Sequence, residues 1–406
     1  MSSTLKFIGN NICAPLGFKA SGIAAGIKKS QKPDLSLIYS EVPATAAGVF
    51  TKNKVKAAPL ILTKKHVKMG KLQAIITNSG NANACTGKLG SKHALQTVKQ
   101  LAQELSIEPQ LIAVSSTGII GVPLDIAKIL NGIPQLSSEL NNLGGSAAAK
   151  AILTTDTFIK EVAIQVELSN GVIIRLGGIA KGSGMIHPNM ATMLGYITSD
   201  VAISAGALQQ ILTQVVNNSF NMISVDGDSS TNDMVLVMAN GYAGNSLIED
   251  VNSTDGQIFS GALLALCTNL AKQIAQDGEG ASKLITVNVS NAKTDKQAKL
   301  VAKAVISSSL VKSAIFGNDA NWGRIACAVG YSNAGITQNK LQIAIDNLVL
   351  FEKGMPILFS EELALQLLQQ IEVTINISLG LGIKKSTAWG CDLTYDYVKI
   401  NSAYRT

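Results

Sequence analysis

GGIAKGSGMIHPNMATMLG, residues 177 to 195, sets a hydroxyl nucleophile beside a peptide bond that it can cut. Thr192 follows the small residue Ala191, so its Oγ1 approaches the Ala191 carbonyl without hindrance. Attack there turns the amide into an ester, and water then releases a chain that begins with threonine. Such a threonine carries its own base. A free α-amino group has a pKa of roughly 8, so near neutral pH it is partly unprotonated and takes the Oγ1 proton during attack. No histidine is then required, and the three in this chain, His66, His93 and His187, are too scattered to suggest a conventional triad. On residue types alone the stretch also reads as a glycine-rich turn entering a short buried segment, with Met185, Met190 and Met193 as core filler. Gly177, Gly178, Gly182 and Gly184 surround Lys181, but neither the phosphate-loop nor the dinucleotide-loop spacing is present.

At 406 residues the chain exceeds what one hydrophobic core usually organises, so two domains or lobes are expected. Apolar residues make up 47% and aromatics only 4%, which with 36 glycines predicts interiors of Ala, Val, Ile and Leu. That composition is enzyme-like and excludes disorder. The net charge of +7 is spread thinly, in short pairs such as Lys28-Lys29, Lys64-Lys65 and Lys384-Lys385. A nucleic-acid stripe is therefore not expected, whereas attraction of small anionic substrates is compatible with the charge. Cys13, Cys85, Cys267, Cys327 and Cys391 form no C-x-x-C pair and read as reduced intracellular thiols without structural zinc. The first twenty residues contain no uninterrupted apolar core, Arg-rich amphipathic pattern or spanning segment, which predicts a cytoplasmic protein.

Apolar runs rich in β-branched residues at 35–39, 74–77, 111–114 and 171–176 predict buried strands. A helix is predicted over 94–105, where Leu95, Val98, Leu101, Ala102 and Leu105 share a face, and others near 204–217, 259–275, 298–312 and 361–371. Late strands are expected at 284–289, 325–329, 341–345 and 373–379, in sheets covered on one face. Mixed strands and helices throughout predict a layered α/β or α+β architecture. The polar segment from Asp277 to Lys283 is the expected boundary of a C-terminal lobe.

The segment DGDSSTND invites a calcium reading through Asp226, Asp228 and Asp233. The EF-hand pattern fails there, because Ser230 replaces the third acidic or amide position, Thr231 stands where Gly is needed, and the closing Glu is missing. No metal is expected, and a polar wall or capped turn is the better reading. Cys85 lies in a Gly/Asn-rich loop with no identifiable partner and reads as structural.

Beyond the cleavage stretch, ordered blocks run the length of the chain: GVFTKNKVKAAPL (48–60), NSGNANACTG (78–87), SSTGIIGVPL (115–124), TTDT (154–157), AKGSGMIHPNMATML (180–194), FNMISVDGDSSTND (220–233), DGEGASK (277–283), GNDANWGRI (317–325) and GCDLTYDYVKINSAYRT (390–406). With these the chain resembles the ornithine acetyltransferase family, the glutamate N-acetyltransferases of arginine biosynthesis, from end to end. The resemblance implies a layered α-β-β-α sandwich like that of N-terminal-nucleophile enzymes, with a C-terminal α/β lobe over about 284–406. It implies cleavage between Ala191 and Thr192 into an α chain, 1–191, and a β chain, 192–406, that stay together, two of each per assembly. It implies transfer of the acetyl group of N-acetylornithine to Thr192 and then to glutamate, hence ping-pong kinetics. Some members also acetylate glutamate from acetyl-CoA, and no cofactor is otherwise implied.

Attack on a carbonyl needs donors aimed at the developing oxyanion. The family's oxyanion hole maps onto Thr117 and Gly118, although SSTGIIG after a strand is by residue type also an ordinary turn. Substrate contacts map onto Thr154, with Thr155 and Thr157 the neighbouring alternatives within TTDT, and onto Lys181, Thr192, Glu279, Asn401 and the terminal Thr406. Chemically, Lys181 suits a substrate carboxylate and Glu279 an ammonium, while locally they also read as a loop lysine and a charged turn, and Asn401 and Thr406 as tail. The nearest rival function is an N-terminal-nucleophile hydrolase or aminopeptidase, which passes the acyl group to water. A non-catalytic nucleotide- or RNA-binding protein is the rival from another class, and would bind in a salt-sensitive way.

Overall fold

The computed structural model describes residues 5–187 and 193–403. Among them, nine strands share one sheet: β1 (Lys6–Ile8), β2 (Phe18–Ile23), β3 (Leu35–Phe50), β4 (Lys71–Asn81), β5 (Ile112–Ile119), β6 (Lys160–Glu167), β7 (Ile173–Lys181), β8 (Leu194–Ser199) and, beyond the short β9 (Ile223–Ser224) of a second sheet, β10 (Met234–Ala239). Their order is β1-β6-β7-β8-β10-β3-β4-β5, with β2 on the first half of β3. The sheet doubles over at β3, a strand of 16 residues whose register with β4 breaks between Tyr39 and Ala44. Its first half pairs with β2 and its second half with β10.

Period-2 alternation then sorts the side chains. Met234, Leu236 and Met238 of β10, with Leu194 and Tyr196 of β8, meet Ile38, Ile75 and Ala113 of the other layer in an inner core. The Tyr196 hydroxyl bridges the layers, accepting from Thr77 Oγ1 at 2.9 Å and bonding Ser115 Oγ at 2.5 Å. α1 (Ala58–Val67) leans on β5, where Thr63 Oγ1 donates to Val114 O at 2.6 Å. α2 (Gly87–Leu105) and α3 (Ile126–Ser138) cover the outer face with Val98, Leu101, Ile129 and Ile133 over Leu37, Ile76 and Val114. α4 (Gly145–Ala151) closes the inner core against β2. α5 (Ala205–Asn218) and α6 (Thr254–Gln276), both N-capped by serine, cover the opposite face over Ile164, Leu176 and Val235. The result is the expected four-layer α-β-β-α sandwich. α6 is long and apolar enough to cross a membrane, but it is a core helix, with Phe259, Leu263, Leu266 and Leu270 buried in this packing.

The second sheet runs β14 (Met355–Pro356), β13 (Leu348–Glu352), β12 (Gln342–Ile345), β15 (Glu372–Ser378), β11 (Leu284–Ala292), β16 (Lys384–Cys391), β9. Its core is continuous with the outer core of the sandwich, because α6 packs on both sheets. The helices around it are α7 (Asp295–Ile306), α8 (Ser309–Phe316), α9 (Trp322–Gly330), α10 (Glu361–Leu368) and α11 (Tyr395–Ala403). Two expectations are corrected here. The helix predicted over 298–312 is two, since Ser308 caps a new start by accepting from Val311 N. The strand predicted at 325–329 is part of α9: Asn321 caps it by accepting from Arg324 N, and Ile325, Ala328 and Val329 fall on one buried face. A five-residue apolar run does not by itself separate helix from strand.

Candidate active site

The strand ends of the sandwich enclose a cavity of about 270 Å³. β5 supplies Thr117 and Gly118 at the point where its parallel pairing with β4 becomes irregular, after Ser79 opposite Thr117 and Gly80 opposite Gly118. Gly118 has φ of +129°, a conformation side-chain-bearing residues rarely adopt, and a Cβ there would lie 2.4 Å from the Gly80 carbonyl carbon. Lys181 enters from the end of β7, Met193 and Leu194 from the start of β8, and Thr154 from the loop between α4 and β6. Glu279 follows α6, and Asn401 reaches in from α11. Thus Thr117, Gly118, Thr154, Lys181, Glu279 and Asn401, drawn from distant stretches, line one cavity. Ala191, Thr192 and Thr406 lie outside the described residues.

Polar contacts fix these groups. The Lys181 side chain is buried, 10% exposed, and donates from Nζ to Thr154 Oγ1 at 2.7 Å. The free loop lysine of the local reading is therefore ruled out. Asn401 Nδ2 donates to Glu279 Oε2 at 2.8 Å. The carboxylate lies so close to Gly184 that a Cβ there would stand 2.3 Å from Oε2. Asn232 Nδ2 donates to Ala82 O at 2.6 Å and Ser116 O at 2.7 Å, tying the turn before β10 to the ends of β4 and β5.

The three aspartates of DGDSSTND line the wall. Asp226 accepts the backbone N–H groups of Met185 (2.6 Å), Ile186 (2.8 Å) and Asp228 (3.1 Å), so it caps a turn as the sequence suggested. Burial raises its carboxyl, and those N–H bonds partly counter the rise. Asp233 is 4% exposed, and burial pushes its carboxyl well up against the opposing pull of Ser230 and Lys181. The Tyr397 phenol is also pushed up, first by burial and then by Asp226, Glu279 and Asp228. Among the described residues no group of three or more His, Cys, Asp or Glu is arranged to hold a metal ion. Cys85 is exposed and lies outside the residues lining this cavity.

Sequence reasoning missed the charges behind the wall. Asp156, the third residue of TTDT, and Asp277, the first of DGEG, both bond the Nζ of fully buried Lys160, at 2.7 and 2.5 Å. The two aspartates stand in stretches already singled out, but Lys160 carries no local signal. A lysine at a strand start reads as solvated until the fold buries it.

Cavity, sandwich and strand-end placement define an α/β enzyme acting on small molecules, and comparison with known proteins makes that specific. The family model of the ArgJ family matches residues 19–406. The arginine biosynthesis bifunctional protein ArgJ of Oceanobacillus iheyensis is 51% identical over 397 residues, 98% of this chain and 96% of its own. That of Symbiobacterium thermophilum is 49% identical over 404 residues, 99% of this chain and 100% of its own. The solved ornithine acetyltransferase of Mycobacterium tuberculosis, complexed with ornithine, is 41% identical and covers 46% of this chain and 100% of the solved one, at a TM-score of 0.43. The chain belongs to the ArgJ family. It is an acyltransferase of arginine biosynthesis, carrying out acetyl transfer.

Proposed function

We propose that the chain cuts itself between Ala191 and Thr192, and that the freed Thr192 carries an acetyl group from N-acetylornithine to glutamate. One observation carries this. Thr117, Gly118, Thr154, Lys181, Glu279 and Asn401 converge on a single cavity that is also bordered by Met193, the covalent neighbour of Thr192. In the first half-reaction the Thr192 α-amine accepts the Oγ1 proton and Oγ1 attacks the acetyl carbonyl. The Thr117 hydroxyl and Gly118 N–H bind the oxyanion, and the amide nitrogen leaves as the amine of ornithine once it has received the proton. Glutamate then enters the same cavity, its neutral amine attacks acetyl-Thr192, the bond from the acetyl carbon to Oγ1 breaks, the amine's proton passes through the Thr192 α-amine to Oγ1, and N-acetylglutamate leaves. Lys181 takes a substrate carboxylate, Glu279 steadied by Asn401 takes an ammonium, and Thr154 and the terminal Thr406 complete the contacts.

The product chains are 1–191 and 192–406, with a C-terminal lobe from about 284, assembled as two α and two β chains in the cytoplasm. Acetyl-CoA serves as a second acetyl source, consistent with the bifunctional relatives, and no metal or other cofactor takes part. Denaturing intact-mass analysis of the wild type beside Thr192→Ala tests the cleavage: two fragments joining at Ala191/Thr192 are expected in the first and one uncut chain in the second. Acetylornithine turnover with and without glutamate tests the transfer. Equal consumption in both, with no acetylglutamate formed, makes the enzyme a hydrolase instead.

A further inference from the structure

Three charged side chains, Asp156, Lys160 and Asp277, run in series behind the cavity wall and meet Lys181, which lines it. Lys160, fully buried, donates to Asp156 Oδ1 at 2.7 Å, Asp277 Oδ2 at 2.5 Å and Phe158 O at 3.4 Å. Asp156 Oδ1 also accepts the N–H of Gly182 at 2.7 Å, the residue after Lys181. Its Oδ2 accepts the Thr154 N–H at 3.0 Å and stands 3.9 Å from Lys181 Nζ. At the far end Asp277 accepts the N–H of Thr157 at 3.0 Å and its hydroxyl as well. The Asp277 carbonyl accepts the Ser183 hydroxyl at 2.6 Å, and the Ser183 carbonyl accepts the Glu279 N–H at 3.0 Å. One end of the series therefore grips Lys181 through both its side chain and its backbone neighbour, and the other end sets the backbone that carries Glu279.

Buried ion pairs of this kind are weak evidence of added stability. Removing ions from water costs several kcal/mol each, and well-packed apolar residues commonly do as well in their place. Asp156 is not suited to moving protons. Burial by itself would raise its carboxyl, but Lys181 and Lys160 outweigh burial and hold it well below the usual carboxylate range, so it stays charged. Charge held rigid at both poles of a binding cavity serves orientation.

We infer that Asp156 is a positioning residue which, anchored through Lys160 and Asp277, fixes the Lys181 ammonium relative to Glu279, so that the cavity selects amino acids by the separation of their charged ends. The inference rests on the proposed roles of Lys181 and Glu279 as substrate contacts. Its test is a double-mutant cycle on the cleaved enzyme with Asp156→Asn, Lys181→Met and both, measuring kcat and KM for N-acetylornithine and for homologues one methylene shorter and longer. For Asp156→Asn, KM rises about tenfold while kcat stays within about threefold, discrimination among the homologues narrows, and the double variant is no worse than Lys181→Met, as coupled neighbours require. Multiplying effects in the double variant, or unchanged homologue discrimination in Asp156→Asn, overturn the inference. If Lys181→Met itself leaves KM unchanged, the substrate-contact role of Lys181 falls, and the inference with it. Should Asp156→Asn fail to fold, Asp156→Asn/Lys160→Met removes one charge of each sign, and the same criterion applies with and without Lys181→Met.

Discussion

Replacing Gly118 by alanine tests the proposed oxyanion hole through backbone geometry alone. The new Cβ lies 2.4 Å from Gly80 C and 2.6 Å from Asn81 N, both backbone atoms of a paired strand, and ordinary contact begins at 3.4 Å. Relief requires Gly118 to move by about 1 Å or to leave φ of +129°. The conformation costs about 1–3 kcal/mol and the overlap about as much again, against roughly 5–15 kcal/mol for a folded domain. The variant therefore folds with its β5 end displaced. A donor moved by about 1 Å from an oxyanion bond of about 2.9 Å no longer makes that bond, and loss of one such donor costs about 10²–10³-fold in rate. The assay is kcat for acetyl transfer to glutamate, with circular dichroism and melting temperature to confirm the fold and denaturing mass to confirm cleavage. A folded, cleaved Gly118→Ala enzyme with kcat within about threefold of wild type refutes the assignment, since even one lost donor costs far more.

Gly184→Ala drives a methyl group into the Glu279 carboxylate, so KM for acetylornithine should rise by about tenfold, the loss of roughly one charge-assisted hydrogen bond, with the fold intact. An unchanged KM would remove Glu279 from the binding site. Tyr196→Phe deletes the hydroxyl that bridges the two sheet layers, while Thr77 and Ser115 stay bonded to each other at 2.8 Å. Urea titration should show a loss of about 1–2 kcal/mol, and an unchanged midpoint would refute the bridging role. His187 bonds Ser224 Oγ at 3.0 Å, and burial, with Lys303, pushes its imidazole down to about 4 from 6.5. The unfolded chain thus takes up this proton at a higher pH than the folded one, so stability falls as pH drops from about 6.5 towards 4. His187→Gln should flatten that limb of the denaturant midpoint against pH, and an identical slope would show that another group governs it.

What a short stretch of sequence records is chemistry that is local. A hydroxyl after a small residue and polar blocks in a fixed order are covalent facts, and the ordered blocks carried the family; Thr117, Gly118, Glu279 and Asn401 were assigned only through that resemblance, since locally they read as turn and tail residues. Period-2 and helical patterns determined most elements, because burying one face is a constraint that a short window records. The patterns failed where a window is too short to hold a period, as at α9, whose apolar run at 325–329 depended on the Asn321 cap. Tertiary structure alone decided the doubling of the sheet at β3, the passage of one core through α6 into the second sheet, and the burial of Lys160 between Asp156 and Asp277. Lys160 and Asp277 are 117 residues apart and meet only because β6 and the end of α6 close on one another. The energy of such a contact depends on what the rest of the chain excludes from it, chiefly water, and no local stretch of sequence records that.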